Sequence, residues 1–354
     1  MTASEQTVVV TGGAGFIGSH VVEELIHRGY RVVNLDLLTY AGNLKNLAAV
    51  ANYDRYSFVH GDICDRRLLA TVFGERSPDI VFNIAAESHV DRSIDDASAF
   101  IETNVTGVFR LLEASLAHLR GLDPERKAKF RFIQMSTDEV YGSIAEGAFS
   151  EESNYAPNSP YAASKAAGDH MARAYQATYG LPVIVVHASN TYGPRQYPEK
   201  LIPHMIISAL RSRPLPVYGQ GLNVRDWMHV ADLSRGLALV VRHGQPGEIY
   251  NFAGCDECRN IDTVRQLCRH LDRFAAAARP YESNITFVTD RPGHDFRYAM
   301  AIDKVRRALG WEPRMRFSEG LPLVIAWYLD NEAWWQSVLE RGYGGARIGL
   351  RTVR

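Results

Sequence analysis

Short apolar runs alternate with longer segments of mixed polarity through the first half of the chain. Helical spacing of the apolar positions predicts helices at about Phe16–His27, Ala99–Leu119 and Tyr161–Tyr179. The apolar runs predict strands at Thr7–Val10, Arg31–Leu35, Phe58–Gly61, Ile80–Ile84, Phe130–Met135 and Val183–Val186. Since near-continuous apolar strands separated by helices have both faces covered, we expect an α/β fold with a doubly wound parallel sheet.

The pattern loosens after about Asn190, where proline interrupts the apolar segments. It predicts a smaller α/β lobe that contains a short strand near Glu248–Phe252 and helices near Asp262–Leu271 and Asp303–Leu309. The aromatic segment Trp327–Trp335 predicts a helix packed into the core. We therefore expect a first domain over residues 1–190 with later segments interleaved, a C-terminal lobe over 191–340, a tail over 341–354, and a ligand between the lobes.

Composition narrows the class of protein. The 354 residues are 46% hydrophobic and 22% charged, which indicates a globular chain and excludes a disordered or fibrous one. Lys plus Arg number 39 against 40 for Asp plus Glu, so we expect no nucleic acid or anionic membrane as partner. The basic cluster Arg347–Arg354 is interpreted as a solvated tail.

Targeting signals and cysteine usage indicate the compartment. No basic segment precedes the apolar run Val8–Val10, and Leu321–Leu329 is too short to span a bilayer. Four cysteines do not form a disulfide framework in a chain of this length. We expect a soluble cytoplasmic protein.

A glycine motif follows the first predicted strand. Gly12, Gly15 and Gly18 permit a tight turn and let backbone N–H groups approach a pyrophosphate at the start of the next helix. Asp36 ends the second strand, where a carboxylate accepts the adenine-ribose hydroxyls and repels a 2′-phosphate. Asp62 follows the third strand, at the expected position of the adenine. This pattern favours a Rossmann domain that binds NAD, although a plain strand-to-helix turn with capping acids would use the same residue types.

A tyrosine and a lysine lie four residues apart on a predicted helix. Tyr161 and Lys165 therefore share one helix face. A lysine ammonium beside a phenol favours the phenolate, which predicts a lowered pKa for Tyr161 and a general base for a sugar or alcohol hydroxyl. The pair predicts hydride transfer between a carbinol and the nicotinamide.

Two adjacent carboxyl groups follow the fifth strand. Thr137, Asp138 and Glu139 lie at its carboxyl end, where doubly wound sheets bind ligands. Two carboxyl groups in different environments can act as one acid and one base. Elimination of water needs such a pair and a simple dehydrogenation does not, whereas a helix N-cap cluster is the structural alternative.

Taken together, these segments resemble the dTDP-glucose 4,6-dehydratases of the extended short-chain dehydrogenase/reductase superfamily. The resemblance extends from residue 7 to about residue 335. It is carried by GGAGFIGSH at Gly12–His20, TYAGNL at Thr39–Leu44, AAESHVDRSI at Ala85–Ile94, STDEVYG at Ser136–Gly142, YAASK at Tyr161–Lys165, PEKLIP at Pro198–Pro203, RDW at Arg225–Trp227, RNID at Arg259–Asp262 and DRPGHD at Asp290–Asp295.

The resemblance implies a redox-neutral lyase reaction. Tyr161 removes the O4 proton while hydride passes from C4 to NAD, with Thr137 bonded to the oxygen. Glu139 then abstracts the C5 proton as Asp138 protonates the C6 hydroxyl, and water leaves. Hydride returns to C6 and Glu139 reprotonates C5, so the product is the 4-keto-6-deoxy sugar. NAD is regenerated and stays tightly bound, while Lys165 holds the nicotinamide ribose.

The resemblance also implies the binding residues and a homodimer. The helices near residues 99–119 and 161–179 would form a four-helix interface between two copies. The implied NAD site consists of Gly12, Gly15, Phe16, Ile17, Gly18, Asp36, Asp62, Ile63, Ala85, Ala86, Asn104, Ser136, Tyr161 and Lys165. The implied nucleotide-sugar site consists of Ser88, Asn190, Lys200, Leu201, Pro216, Tyr218, Arg225, Asn260, Arg291 and His294.

Three positions depart from the family pattern. Arg195 stands where an aromatic residue is common, Thr191 where a second Asn is usual, and Leu37 where a Lys is usual. We expect the first two near the sugar nucleotide, so UDP-, GDP- and amino-sugar substrates stay open. Two other functions also stay open, namely a 4-epimerase, which would leave the carboxyl pair without a task, and a non-catalytic NAD-binding sensor or scaffold.

Metal and redox motifs are weak in this sequence. Cys255 and Cys258 form a single C-x-x-C without a second pair, and His89, His229 and His294 lack metal-ligand spacing. We expect no metal requirement.

Overall fold

The computed structural model describes residues 6–340 of the chain. The strands are β1 Thr7–Thr11, β2 Arg31–Asp36, β3 Tyr56–His60, β4 Ile80–Asn83, β5 Arg131–Thr137, β6 Val183–Ala188, β7 Asn190–Tyr192, β8 Leu215–Tyr218, β9 Val224–His229, β10 Ile249–Phe252, β11 Glu257–Arg259 and β12 Ile285–Val288. The α-helices are α1 Phe16–His27, α2 Arg66–Arg76, α3 Val90–Asp95, α4 Ser98–Ile101, α5 Val108–Gly121, α6 Pro124–Lys129, α7 Pro160–Tyr179, α8 Leu201–Leu210, α9 Val230–His243, α10 Asn260–Phe274, α11 Asp303–Leu309, α12 Phe317–Asp330 and α13 Glu332–Glu340.

A seven-stranded parallel sheet forms the centre of the molecule. Its order is β10-β6-β5-β4-β1-β2-β3, so the chain direction across the sheet reverses between β1 and β4. The six strands predicted in the first half of the chain are all present in it, and the predicted doubly wound fold is confirmed. In such sheets a crevice opens beside the carboxyl ends of the strands at the reversal point, which positions the site described below.

The helix predicted at Ala99–Leu119 is interrupted near its start. A π-helical segment, Glu102–Gly107, lies between α4 and α5. Its buried Asn104 accepts a hydrogen bond from the Glu87 N–H (3.0 Å) and donates to the Glu87 carbonyl (2.9 Å). The wider turn thus directs a side chain that fixes the loop after β4, a use typical of π-segments near functional sites.

A second hydrophobic core lies beneath two smaller sheets. These are the three-stranded β11-β9-β7 and the two-stranded β12-β8. The core joins the buried faces of α8, α10 and α12, with Tyr192, Trp227 and Phe317 packed ring against ring. This core supports the loops that face the carboxyl end of the central sheet.

Two predictions for the second half of the chain need correction. The strand expected in the smaller lobe, β10, pairs with β6 in the central sheet, because its four residues are all buried and supply an apolar edge for that sheet. The segment Trp327–Trp335 is two helices and not one, since the chain bends at Asn331, whose N–H and side-chain amide both bond to the Trp327 carbonyl (2.9 Å each). The predicted core packing is confirmed by the buried Trp335.

Within residues 6–340, no helix combines the length and the apolar character needed to cross a membrane. The predicted tail over 341–354, with Arg347–Arg354, lies outside the described residues.

Candidate active site

A cavity of about 310 Å³ opens along the carboxyl ends of the central strands. One end of the cavity is the glycine-rich turn between β1 and α1, which we call the glycine cradle. Gly12 has a left-handed φ of +69°, and a Cβ there would lie 2.7 Å from the backbone of Ala85. A Cβ on Gly18 would lie 2.1 Å from the Gly12 carbonyl oxygen. Gly12 therefore lets the turn pack against the loop after β4, and Gly18 lets α1 pack against the turn itself.

The start of α1 faces this cradle. Its N-cap, Gly15, has no side chain, and no other described residue caps the helix through a side chain. The first-turn N–H groups of a helix have no partner within the helix and carry the positive end of its dipole. The cradle therefore offers backbone donors to an anionic group such as a pyrophosphate.

The carboxylate predicted for the ribose lies beside the cradle. Asp36 ends β2, lines the cavity, and accepts hydrogen bonds from the N–H groups of Ala14 (2.9 Å) and Leu38 (2.7 Å). Burial raises its pKa, and these two hydrogen bonds oppose that rise. Asp62 and Ile63, which follow β3, also line this end of the cavity.

Another wall of the cavity carries the two carboxyl groups predicted from the sequence. The chain leaves β5 at Thr137 and turns at once into a short 3₁₀ helix, Asp138–Tyr141. The Thr137 hydroxyl accepts from the Glu139 N–H (3.3 Å) and donates to Asp138 Oδ1 (3.1 Å). This turn brings both carboxyl groups to the cavity, although their side chains are adjacent in sequence.

The two carboxyl groups have different surroundings. Asp138 is 2% exposed, and its Oδ2 has no hydrogen-bond partner among the described residues. Burial raises the pKa of Asp138 well above its usual range, and Glu139 acts in the same direction. Burial also raises the pKa of Glu139, but Arg291, Arg225 and Lys200 oppose that rise. Asp138 is therefore the group better suited to hold a proton, and Glu139 the one better suited to release it.

Tyr161 and Lys165 reach the same wall from α7. Burial raises the pKa of Tyr161, with the Glu139 carboxylate as the next cause, while a hydrogen bond with Thr137 opposes the rise. The lowered pKa predicted for Tyr161 is not found, because burial outweighs the effect of Lys165, whose Nζ donates to the Met135 carbonyl of β5 (2.6 Å). Burial lowers the pKa of Lys165 to about 8.

Comparison with known proteins identifies the family. The family model of GDP-mannose 4,6 dehydratase matches residues 9–323. A dTDP-glucose 4,6-dehydratase of Neisseria meningitidis serogroup B is 52% identical over 350 residues, which cover 97% of this chain and 98% of that protein. The chain belongs to the dTDP-glucose 4,6-dehydratase family.

Solved structures place the family within its wider fold group. The dTDP-glucose 4,6-dehydratase of Streptomyces venezuelae, solved with NAD and TYD bound, has a TM-score of 0.86 and 46% identity over 94% of this chain and 100% of that one. A Thermus thermophilus UDP-glucose 4-epimerase, solved with NAD, has a TM-score of 0.80 and 30% identity over 92% of this chain and 100% of that one. Epimerases thus share the fold, whereas the higher identity is to the dehydratases.

The cavity collects most of the residues that the dehydratase resemblance implied. Asn104 does not line it and acts through the Glu87 backbone. The implied residues that line the cavity are Gly12, Gly15, Phe16, Ile17, Gly18, Asp36, Asp62, Ile63, Ala85, Ala86, Ser88, Ser136, Thr137, Asp138, Glu139, Tyr161, Lys165, Asn190 and Lys200. Those outside its lining are Leu201, Pro216, Tyr218, Arg225, Asn260, Arg291 and His294.

Part of this outer group forms a network beside the carboxyl pair. Asp91 accepts from the Tyr218 hydroxyl (2.7 Å) and from Arg291 (3.1 Å). Arg225 is buried, donates to the Asp295 carbonyl (3.0 Å) and lies over the Tyr298 ring. The dehydratase chain thus holds two guanidinium groups within electrostatic reach of Glu139.

Two further cavity acids, Glu87 and Glu199, are absent from the residues predicted for the site. Glu87 accepts from the Tyr40 hydroxyl (3.2 Å) and Glu199 pairs with Arg92 (2.9 Å). Burial raises the pKa of both carboxyl groups. Glu87 lies in the block Ala85–Ile94 and Glu199 in the block Pro198–Pro203, both of which carry the family resemblance. Their position in these blocks is the sequence feature from which they could have been predicted as site residues.

The departures from the dehydratase pattern lie in different places. Thr191 and Leu37 line the cavity. Arg195 does not line the cavity, so the prediction that it lies near the sugar nucleotide is wrong. Its guanidinium points towards α1 and forms two hydrogen bonds with Glu23 (2.6 and 2.7 Å). It also donates to the Asn46 carbonyl and contacts His20 (2.9 Å). Arg195 therefore ties the loop before α8 to the dinucleotide helix.

No group of three or more His, Cys, Asp or Glu side chains arranged to hold a metal ion is found within residues 6–340. The four cysteines, all in that part of the chain, are free thiols.

Proposed function

We propose that this protein is an NAD-dependent dTDP-glucose 4,6-dehydratase, which converts the nucleotide sugar into its 4-keto-6-deoxy product. The observation that carries the proposal is one cavity whose lining joins the glycine cradle to Tyr161, Asp138 and Glu139. The names of the relatives support both the substrate and the cofactor.

The donor set of the cradle fits NAD. The open start of α1 suits the pyrophosphate, and the Asp36 carboxylate suits the adenine ribose while disfavouring the 2′-phosphate of NADP. We assign Lys165 of α7 and Ser136, near the end of β5, to the nicotinamide half of the cofactor. When bound, NAD supplies a hydride acceptor that takes hydride from C4 and gives it back to C6, so the whole reaction is redox-neutral.

Tyr161 is the general base that we assign to the sugar O4 hydroxyl. Its buried phenol needs a nearby positive charge to ionise, because burial opposes the phenolate. Lys165, on the same helix face, supplies that charge, and Thr137 hydrogen-bonds the reacting oxygen. Proton removal at O4 lets the C4 carbinol become a ketone.

Asp138 and Glu139 divide the elimination of water. The ketone at C4 makes the C5 hydrogen acidic, and Glu139 removes it because its three neighbouring cations favour the carboxylate. Asp138 keeps its proton in the buried wall and donates it to the leaving C6 hydroxyl. Glu139 then returns a proton to C5. A 4-epimerase would have no use for this acid and base.

The cations beside the cavity suit the diphosphate of the substrate. Arg225 and Arg291 provide forked donors that match phosphate geometry, and Lys200 adds a point charge at the cavity wall. We assign these three residues to binding the nucleotide end and not to the proton transfers.

Mass spectrometry tests the proposed function directly. The purified protein is incubated in D₂O with dTDP-, UDP- and GDP-glucose and without added NAD. We expect dTDP-glucose to lose one water and gain one deuterium, because elimination replaces the C5 hydrogen with one from solvent. An unchanged mass for all three sugars, repeated with added NAD and with amino sugars, would refute a dehydratase, and interconversion without mass change would identify a 4-epimerase.

We also propose a homodimer formed through α5 and α7 and their preceding segments. Ile101, the last residue of α4, and Tyr179, the last residue of α7, are 51% and 50% exposed, which is unusual for large apolar side chains. Sedimentation of the wild type and of Ile101→Glu tests the assembly. We expect a dimeric wild type and a weaker dimer in the variant, and a monomeric wild type would contradict the proposal. Cytoplasmic location and the lack of nucleic-acid partners stay predictions from composition.

A further inference from the structure

A buried polar cluster lies directly behind the cavity wall and has no part in the proton transfers assigned above. Its centre is Asp169 on α7, which is fully buried. Asp169 Oδ2 accepts from Ser136 Oγ (2.6 Å) and from the Tyr155 hydroxyl (3.2 Å) and lies 3.3 Å from His187 Nε2. Its other oxygen, Oδ1, is buried without a hydrogen-bond partner among the described residues.

The helix places this carboxylate in line with the reacting pair. Tyr161, Lys165 and Asp169 are spaced four residues apart on α7, so their side chains share one face. Lys165 Nζ and the Asp169 carboxylate bond to consecutive residues of β5, the Met135 carbonyl and the Ser136 hydroxyl. Lys165 and Asp169 therefore both reach β5 from the same face of α7, one turn apart and without a direct ion pair between them.

Burying a carboxylate is costly unless a cation or several donors compensate it. Three further elements surround Asp169: Ser136 of β5 and Tyr155 of the loop before α7 donate to it, and His187 Nε2 of β6 lies 3.3 Å from it and 2.8 Å from the Tyr155 hydroxyl. Of the described residues, only Asp169 contributes a charge that raises the pKa of Lys165, against its burial. The remaining cation that faces the cluster, Arg173 of α7, acts on Tyr155.

We propose that Asp169 is a positioning residue for the reaction: its carboxylate, fixed by Ser136, Tyr155 and His187, is the counter-charge that keeps Lys165 an ammonium beside Tyr161. The carboxylate does not touch the substrate. It acts through Lys165, whose positive charge makes the buried Tyr161 phenol ionisable. The inference rests on the proposed function, since it concerns the oxidation step that Tyr161 and Lys165 perform there.

The pH profile of the oxidation step separates this role from simple packing. Lys165 must carry its proton, so the wild-type rate falls as pH rises through the lysine pKa of about 8. Asp169→Asn removes the counter-charge, which lowers that pKa by about one unit or more. We expect the alkaline limb to move to lower pH by the same amount, with NADH formation about fivefold slower at about pH 8 and little changed at about pH 6.

Asp232→Asn is the matched control. Asp232 is a buried carboxyl group on α9 that pairs with Arg235 (2.8 Å) and does not line the cavity. We expect this variant to lose stability without moving the alkaline limb. If Asp169→Asn fails to fold, Asp169→Glu and Asp169→Gln replace it in the comparison. These two side chains are equal in size, but only glutamate keeps the negative charge, so the alkaline limb should move only in Asp169→Gln.

Other outcomes overturn the inference or the function separately. The role of Asp169 is overturned if the wild-type pH profile has no alkaline limb. It is also overturned if the limb stays in place in Asp169→Asn and in Asp169→Gln. In either case, product formation by the wild type still upholds the dehydratase function. Failure of the wild type to form product from any sugar refutes the proposed function instead.

Discussion

Replacement of Asp138 by Asn tests the division of labour between the two carboxyl groups. The change keeps the size and shape of a side chain that is 2% exposed. Because burial raises the pKa of Asp138 and so favours its protonated form, the substitution removes a proton donor while keeping a neutral side chain of the same size. We therefore expect a large loss of elimination with little disturbance of the cavity.

The size of this loss follows from the role assigned to Asp138. A positioned general acid accelerates a step by about 10²–10⁴-fold, which corresponds to about 2.7–5.5 kcal/mol of barrier. The Asp138 Oδ2 has no partner within the described chain, so no protein group competes for its proton. We expect the rate of water loss to fall by about 10²–10⁴-fold, while C4 oxidation by Tyr161 continues.

The same substitution changes how stability depends on pH. A raised pKa in the folded state means that the folded protein holds its proton while the unfolded chain, with a pKa of about 3.9, releases it. The stability contributed by Asp138 is thus fully present below about pH 4 and is lost, at about 1.4 kcal/mol per pH unit, as pH rises towards the folded-state pKa. Since Asn does not titrate, the variant should gain on the wild type across that range.

The assay combines absorbance and mass. Asp138→Asn mixed with dTDP-glucose should accumulate bound NADH and yield little dehydrated product, and chemical denaturation at several pH values gives the stability comparison. Asp232→Asn, a buried carboxyl group away from the cavity, should dehydrate the sugar normally. Normal elimination by Asp138→Asn would refute the assignment of the acid, and a variant that loses stability relative to the wild type as pH rises would refute the raised pKa.

Three further predictions concern Tyr161, the glycine cradle and the Arg195–Glu23 ion pair. Tyr161→Phe should reduce NADH formation by about 10²–10⁴-fold in a single-turnover absorbance assay, and an unchanged rate would exclude it as the base. Gly18→Ala should abolish NAD retention, because its Cβ would lie 2.1 Å from the Gly12 carbonyl oxygen. Nucleotide released from the denatured protein measures the retained NAD, and a full NAD content would contradict the role of the glycine cradle in binding it. Arg195→Met breaks a largely buried pair (14% exposed) with Glu23 of α1 and should cost about 2–3 kcal/mol of unfolding free energy. Arg28→Met breaks a more exposed pair (32% exposed) with Glu24 of α1 and should cost below about 1 kcal/mol. Equal losses would show that Arg195 does not clamp the loop to α1.

Much of the fold could be predicted because its signals are local. Apolar strands that are buried on both faces contrast with amphipathic helices, and the strands from β1 to β6 and the helix α1 were predicted within a few residues of their observed bounds. The second half was harder, since its short strands β7, β8 and β11 pair with distant segments and carry little pattern of their own. The strand β10 shows this most clearly, because only long-range pairing with β6 assigns it to the central sheet.

The sequence by itself determined the chemical inventory of the site. The glycine motif, the Tyr161–Lys165 spacing and the adjacent Asp138 and Glu139 are visible in the chain because each depends on residues close together in sequence. Tertiary structure decided the environment of these groups. Burial, and not Lys165, dominates the pKa of Tyr161, and the loop before α8 turns Arg195 away from the cavity.

The physical reason is that desolvation and charge pairing act between segments that are remote in the chain. Asp169 became the partner of Ser136 and His187 only when α7 packed across β5 and β6. Glu87 and Glu199 joined one cavity wall from loops more than one hundred residues apart. Local spacing thus determined which groups could react, and packing decided which of them hold a proton and which hold a charge.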